Sequence, residues 1–301
     1  MRRWLANAAP ALAHVSDRPM LWVPGALTWV ASVGWISLVA GVVRVPTQLE
    51  LTYFGAGMQT SGLWPLNLVL MATAVVAAVT AGVGLVAVGN AALDAELRNR
   101  PFEPADAGRR FVTSLIGVLP VALVVFVLLV ATIAVAPAEF NRPEADPGPV
   151  LRLLGRLMPL LVLGAVVVVS TAALAGLAGR AATEAGNVAG GLADLPALAR
   201  RAGSAGALHI AVTAVIGVAF LVLSGVLVRV LWSPIGTSLV TEGAIDATGV
   251  LLLVGFVAIW LCLVLAGGAL HAWGSATWAS LLRPRSAGDR PGRPQEAPID
   301  R

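Results

Sequence analysis

The sequence predicts an all-α polytopic membrane protein, six transmembrane helices arranged as three hairpins with both termini cytoplasmic. Three observations carry this. The 301 residues are 58% hydrophobic and only 12% charged, against about 25% charged in an average soluble domain. Six stretches each supply the roughly 20 apolar residues needed to cross about 30 Å of hydrocarbon. The arginines crowd on one side of those stretches.

The six spans are read as Leu21–Val43, Leu66–Val88, Val112–Ala136, Leu157–Gly179, Ala207–Val228 and Gly249–His271, and none carries Asp, Glu or Arg in its interior. All 20 basic residues are arginine. Fifteen of them (Arg2, Arg3, Arg18, Arg98, Arg100, Arg109, Arg110, Arg180, Arg200, Arg201, Arg283, Arg285, Arg290, Arg293 and Arg301) share a side with the termini. Five (Arg44, Arg142, Arg152, Arg156 and Arg229) fall on the other. The positive-inside rule then places both ends in the cytoplasm, and the membrane expected is the plasma membrane. Trp22, Trp273 and Trp278 fall at the expected inner interface, and Tyr53, Trp64 and Trp232 near the outer one, as an aromatic belt should. The start, MRRWLANAAPALAHV, has a basic opening and an Ala11-Leu12-Ala13 that imitates a cleavage site. Asn7 and Pro10 break its apolar run, so it reads as a segment lying on the inner leaflet. The transmembrane domain covers 1–282. The tail 283–301, with four prolines and no aromatics, is expected to be disordered.

The spans repeat. Odd helices begin near 21, 112 and 207, even ones near 66, 157 and 249, so both series recur at similar intervals. The even helices end on Gly89-Asn90-Ala91-Ala92, Gly179-Arg180-Ala181-Ala182 and Gly274-Ser275-Ala276-Thr277, with Asp94 and Glu184 following in the first two and Ala279 in the third. This is the pattern of three related helical hairpins. Small residues at Ala74, Ala78 and Gly82, and at Thr171, Ala175 and Gly179, mark the second and fourth helices as the packed interior. The valine- and leucine-rich 121–130 marks the third as broadly lipid-facing.

The composition excludes much chemistry. No lysine means no Schiff base and no phosphate-binding loop ending in GK[ST]. Cys262 alone makes no disulfide, and with His14, His209 and His271 it gives no ordinary four-ligand zinc site. No nucleophile elbow, HExxH or paired-carboxylate signature occurs. The chain is therefore expected to be non-enzymatic, with no cofactor, no metal and no nucleic-acid partner. With no charge at mid-membrane, the interior is expected to lack buried charged machinery. His209 and His271 sit at inner ends of the fifth and sixth helices, placed to meet across a hairpin.

Three groups of polar residues remain as candidates. Arg152 and Arg156, four apart in LRLLGRL, suit contact with lipid phosphates. Ser170 and Thr171, with Thr80 and Thr213, are the candidate polar spot within the bundle. Glu184, Arg200 and Arg201 are candidates for docking a partner at the cytoplasmic face. The loops 91–111 and 181–206 have room for one short helix each, and Asp94 and Arg98 stand at helical spacing for an ion pair.

The layout of six spans and the loop segments GNAALDAEL and GRAATEAGN resemble the membrane domain found beside bacterial glycerophosphodiester phosphodiesterases. The resemblance covers residues 1 to about 282 and brings no catalytic residue, because the phosphodiesterase domain is absent from this sequence. A second resemblance is to ABC importer permeases, whose EAA-xxx-G loop Glu184-Ala185-Gly186 and Gly190 imitate before Leu195-Pro196 departs from the pattern. The function expected is a lipid-handling or partner-binding membrane scaffold, with membrane lipids and another membrane or cytoplasmic protein as partners. The alternative is a permease subunit of an ABC-type or other small-molecule transporter.

Overall fold

The computed structural model describes residues 1–40, 42, 57, 64–140, 176–241 and 247–282. Every regular element among them is helical. We number α1 Arg2–Ser16, α2 Trp22–Trp29, α3 Trp35–Ala40, α4 Trp64–Leu97, α5 Pro104–Phe140, α6 176–185, α7 Val188–Thr241 and α8 Ala247–Leu281. A 3-10 turn, Pro19–Leu21, leads into α2, and a π-helical turn, Val30–Gly34, joins α2 to α3.

Four stretches are long and apolar enough to cross a membrane: Val69–Leu97, Pro104–Val127, Val188–Leu239 and Ala247–Leu281. They correspond to the second, third, fifth and sixth expected spans. The expected first span carries no charge but is not one continuous α-helix. The Trp29 indole occupies the space in which a Cβ on Gly34 or Gly267 would sit, and the backbone widens into the π-turn directly after it. The expected fourth span lies outside the described residues except for its last turn, which opens α6.

α4 packs along α5, α2 lies between α4 and α8, α1 covers the end of α8, and α3 and α8 both pack on α7. α2 crosses α8 with backbone against backbone. A Cβ on Gly25 would overlap the carbonyl oxygen of Gly268, and one on Gly268 would overlap the carbonyl oxygen of Trp22. Between membrane helices, where lipid is as apolar as leucine, this backbone approach is what small residues provide. It differs from the expectation that the second helix forms the interior. Ala74 is exposed, while Ala78 and Gly82 line a cavity. A stripe of small residues leaves room, and in α4 that room stays open over much of its length.

The expected short helix in 91–111 is absent. α4 runs on to Leu97, and α5 starts at Pro104, a residue preorganised for a first helical turn. At 1.5 Å per residue the 34 residues of α4 extend about 50 Å, well beyond a hydrocarbon core of about 30 Å. Asp94 thereby sits on the rigid extension of a span rather than in a loop. The loop 181–206 does hold helix. Asn187 caps α7, its Oδ1 accepting from the Gly190 N–H at 2.6 Å. Gly203 then kinks α7 with φ 54° and ψ −147°, a conformation open to glycine.

Candidate functional site

The ends of α4, α6 and α8 and the start of α5 meet around one carboxylate. Asp94 is 1% exposed and accepts from Arg110 Nη2 through Oδ2. Arg180 Nη2 stands 3.3 Å from its Oδ1, and Arg98 Nη2 3.9 Å from Oδ2. Arg98 also reaches Glu184 at 3.5 Å. Arg180 donates to the Ser275 carbonyl at 3.0 Å, which ties α6 to α8. A second pair of arginines, Arg100 and Arg109, holds Asp106 from both sides at 2.5 Å each and clamps the α4–α5 turn.

The charges around Asp94 do not balance. Three arginines (Arg98, Arg110 and Arg180) face two carboxylates (Asp94 and Glu184), a surplus of one positive charge among the described residues. Arg110 and Arg180 are 5% and 8% exposed, and Arg110 Nε, like Arg100 Nε and Arg109 Nε, is buried with no hydrogen-bond partner among the described residues. Removing a guanidinium from water is costly unless it is paired.

A cavity of about 620 Å³ lies against this cluster. One end is lined by Asn90, Arg110, Arg180, His271 and Ser275, and the walls include Val79, Val83, Val86 and Val118. His271 Nε2 donates to Asn90 Oδ1 at 3.0 Å, so Asn90 keeps two amide hydrogens of its own to donate. A separate hollow of about 610 Å³ lies between the start of α2 and the end of α4, bordered by Met20, Leu27, Glu96, Arg100 and Phe102.

One local arrangement recurs three times. Thr28, Thr113 and Thr213 each donate to the carbonyl four residues back, on Pro24, Arg109 and His209. Each lies against the matching glycine: Thr28 stands where a Cβ on Gly89 would grow, while Thr113 and Thr213 are within van der Waals reach of a Cβ on Gly179 and Gly274. The residue after each glycine, Asn90, Arg180 or Ser275, lines the cavity. Threonine serves here because its hydroxyl proton is satisfied within its own helix and its side chain is compact enough to lie against glycine.

The sequence-derived candidates are placed as follows. Thr213 belongs to the recurring contact, and both it and Thr80 are half-buried without lining the cavity. Ser170 and Thr171, and Arg152 and Arg156, lie outside the described residues. Glu184 is exposed and engaged by Arg98. Arg200 and Arg201 are exposed on α7, where Arg200 Nε donates to the Pro196 carbonyl. Asp94 and Arg98 pair as their spacing foretold, at the long end of the range.

The two histidines each find another partner. His209 accepts from Trp4 Nε1 through Nδ1 at 3.2 Å, which leaves its Nε2 to donate to the Gly274 carbonyl at 3.0 Å. The expectation of no buried charged machinery is corrected by Asp94, Asp106, Arg110 and Arg180, all buried. Sequence reasoning placed them beyond the spans and therefore in water. The repeat did mark the region, since Asn90 with Asp94 and Arg180 with Glu184 occupy matching positions. Among the described residues no three of His, Cys, Asp and Glu gather as metal ligands. Comparison of the chain with protein-family models, curated proteins and solved structures finds no match.

Proposed function

We propose that this chain is a non-enzymatic, lipid-handling protein of the plasma membrane, six spans deep with both termini in the cytoplasm. The observation that carries the reading is the cavity beside Asp94. Its walls are largely hydrocarbon, the Thr28 and Ser32 hydroxyls along them being spent on carbonyls of their own helix, and its charged lining, Arg110 and Arg180, lies at one end. That is the chemistry of an amphiphile, apolar along its length and polar at its head. A small polar solute would need donors and acceptors distributed around it, and the valine walls supply none.

The six-span arrangement is supported by the recurring threonine–glycine contact and by the arginine distribution. Native mass spectrometry of the intact chain, extracted from membranes and washed with detergent, tests the lipid reading. Retention of one lipid class near one molecule per chain is the expected result. A chain stripped bare under gentle extraction, or one that drives uptake of a water-soluble substrate into liposomes, would overturn it. For orientation, Cys262→Ser with Arg285→Cys should react with an impermeant maleimide only after cells are opened. Labelling of intact cells would reverse the topology.

A further inference from the structure

We propose that the Arg110–Arg180 end of the cavity is a binding site for the phosphate headgroup of an anionic, single-chain amphiphile whose hydrocarbon lies along the α4 wall. This rests on the lipid-handling reading and gives it a ligand class. Charge is the first argument. Among the described residues the buried groups of the cluster are Arg110, Arg180 and Asp94, one cation more than the carboxylate neutralises, and an anion in the adjoining cavity supplies the missing charge where the local dielectric is low.

Hydrogen bonding is the second argument. Arg110 spends one terminal nitrogen on Asp94, and both Arg110 and Arg180 line the cavity. A guanidinium presents its N–H groups as a planar fork, which matches two oxygens of a phosphate. Asn90 and Ser275 border the same end of the cavity and add neutral donors. Asp94 itself, 1% exposed, holds both guanidinium groups from behind. It acts as a positioning residue, fixing the cations without facing the ligand.

Shape is the third argument and separates a lipid from free phosphate. Val79, Val83 and Val86 continue the cavity along α4 away from the arginines, a surface to which inorganic phosphate gains nothing by binding. The volume of about 620 Å³ lies within the usual range for a small-molecule site.

The test measures binding of 1-oleoyl lysophosphatidate, neutral monooleoylglycerol and inorganic phosphate to the full chain in detergent micelles, by native mass spectrometry with a fluorescence titration alongside. The intact protein should hold lysophosphatidate at least tenfold more tightly than monooleoylglycerol and show no phosphate binding at millimolar concentration. Arg180→Gln leaves Asp94 paired with Arg110 and should remove most of that preference without weakening monooleoylglycerol. Val83→Trp should weaken both lipids together by filling the wall. Should Arg180→Gln fail to fold, Arg110→Gln leaves Asp94 beside Arg180, removes the same surplus charge and should lower the preference in the same direction. Equal binding of the two lipids, with Arg180→Gln indifferent, would overturn the headgroup site and leave lipid handling standing. Phosphate binding as tight as lysophosphatidate would overturn the lipid as the source of the phosphate. Binding of neither lipid would remove the lipid-handling reading as well.

Discussion

Two regions of this bundle are held together by different physics. Around Asp94, helix ends are joined by ion pairs and side-chain hydrogen bonds from Arg98, Arg110, Arg180, Asn90 and His271. α1 is tied down nearby by Trp273 Nε1 to the Ala8 carbonyl at 3.0 Å and Trp4 Nε1 to His209. The second region is the layer of Trp29, Leu38, Val228, Ile235 and Phe256, which is apolar throughout. Rings there meet edge-on, as Trp29 and Phe220 do at 5.5 Å. In lipid the apolar layer has no hydrophobic driving force and relies on shape. At the Asp94 end, unpaired charge is costly and every partner counts. The apolar layer fixes how closely the helices pack, while the polar knot fixes which ends meet.

Substitutions can separate the two kinds of cohesion. The largest effect is expected at the α2–α8 crossing. Gly268→Leu drives a side chain into the backbone of α2 and should abolish the monodisperse species on size exclusion; a well-behaved Gly268→Leu protein would show that the crossing is not needed. Next is Asp94→Asn, which leaves two buried guanidinium groups without their carboxylate. It should cost about 3–5 kcal/mol, read as a lowered melting temperature in detergent. A loss under about 1 kcal/mol would make the knot a surface feature.

Trp273→Phe keeps most of the ring packing against Trp4 and removes the bond to Ala8. About 1 kcal/mol is expected, with faster proteolysis within residues 2–16 as the specific sign of a released α1. The smallest effect is expected from Val222→Ala on the exposed face of α7, within about 0.5 kcal/mol. A large effect there would reveal a contact that covers this face.

Much of the architecture was legible in the sequence. Long apolar runs can only be helices when no water is present to satisfy the backbone, and α4, α5, α7 and α8 follow from that alone. The recurring Gly-x-Ala-[Ala/Thr] ends pointed to the residues that gather at the cavity. What escaped was the fate of polar residues just past the spans. Asp94 and Arg110 stand 16 positions apart and looked like members of a solvated loop. They meet because α4 and α5 stay helical through those positions and turn back in six residues, 98–103. Gly25 and Gly268 escaped for a related reason. Gly25 belongs to no small-residue stripe, Gly268 opens one with Ala272 and Ala276 that the sequence reading did not single out, and their meeting depends on how two distant helices cross.

The sequence alone determined that the chain is helical and where its charges are allowed to be. Both follow from local physics, since an apolar run must satisfy its own backbone and an isolated charge avoids hydrocarbon. Only the tertiary structure decided that three arginines converge on one buried carboxylate beside a cavity. That arrangement depends on helix lengths, on a six-residue turn and on the Gly25–Gly268 crossing acting together. Charge neutralisation within it is a property of residues brought together from α4, α5 and α6, and no single stretch of sequence carries it.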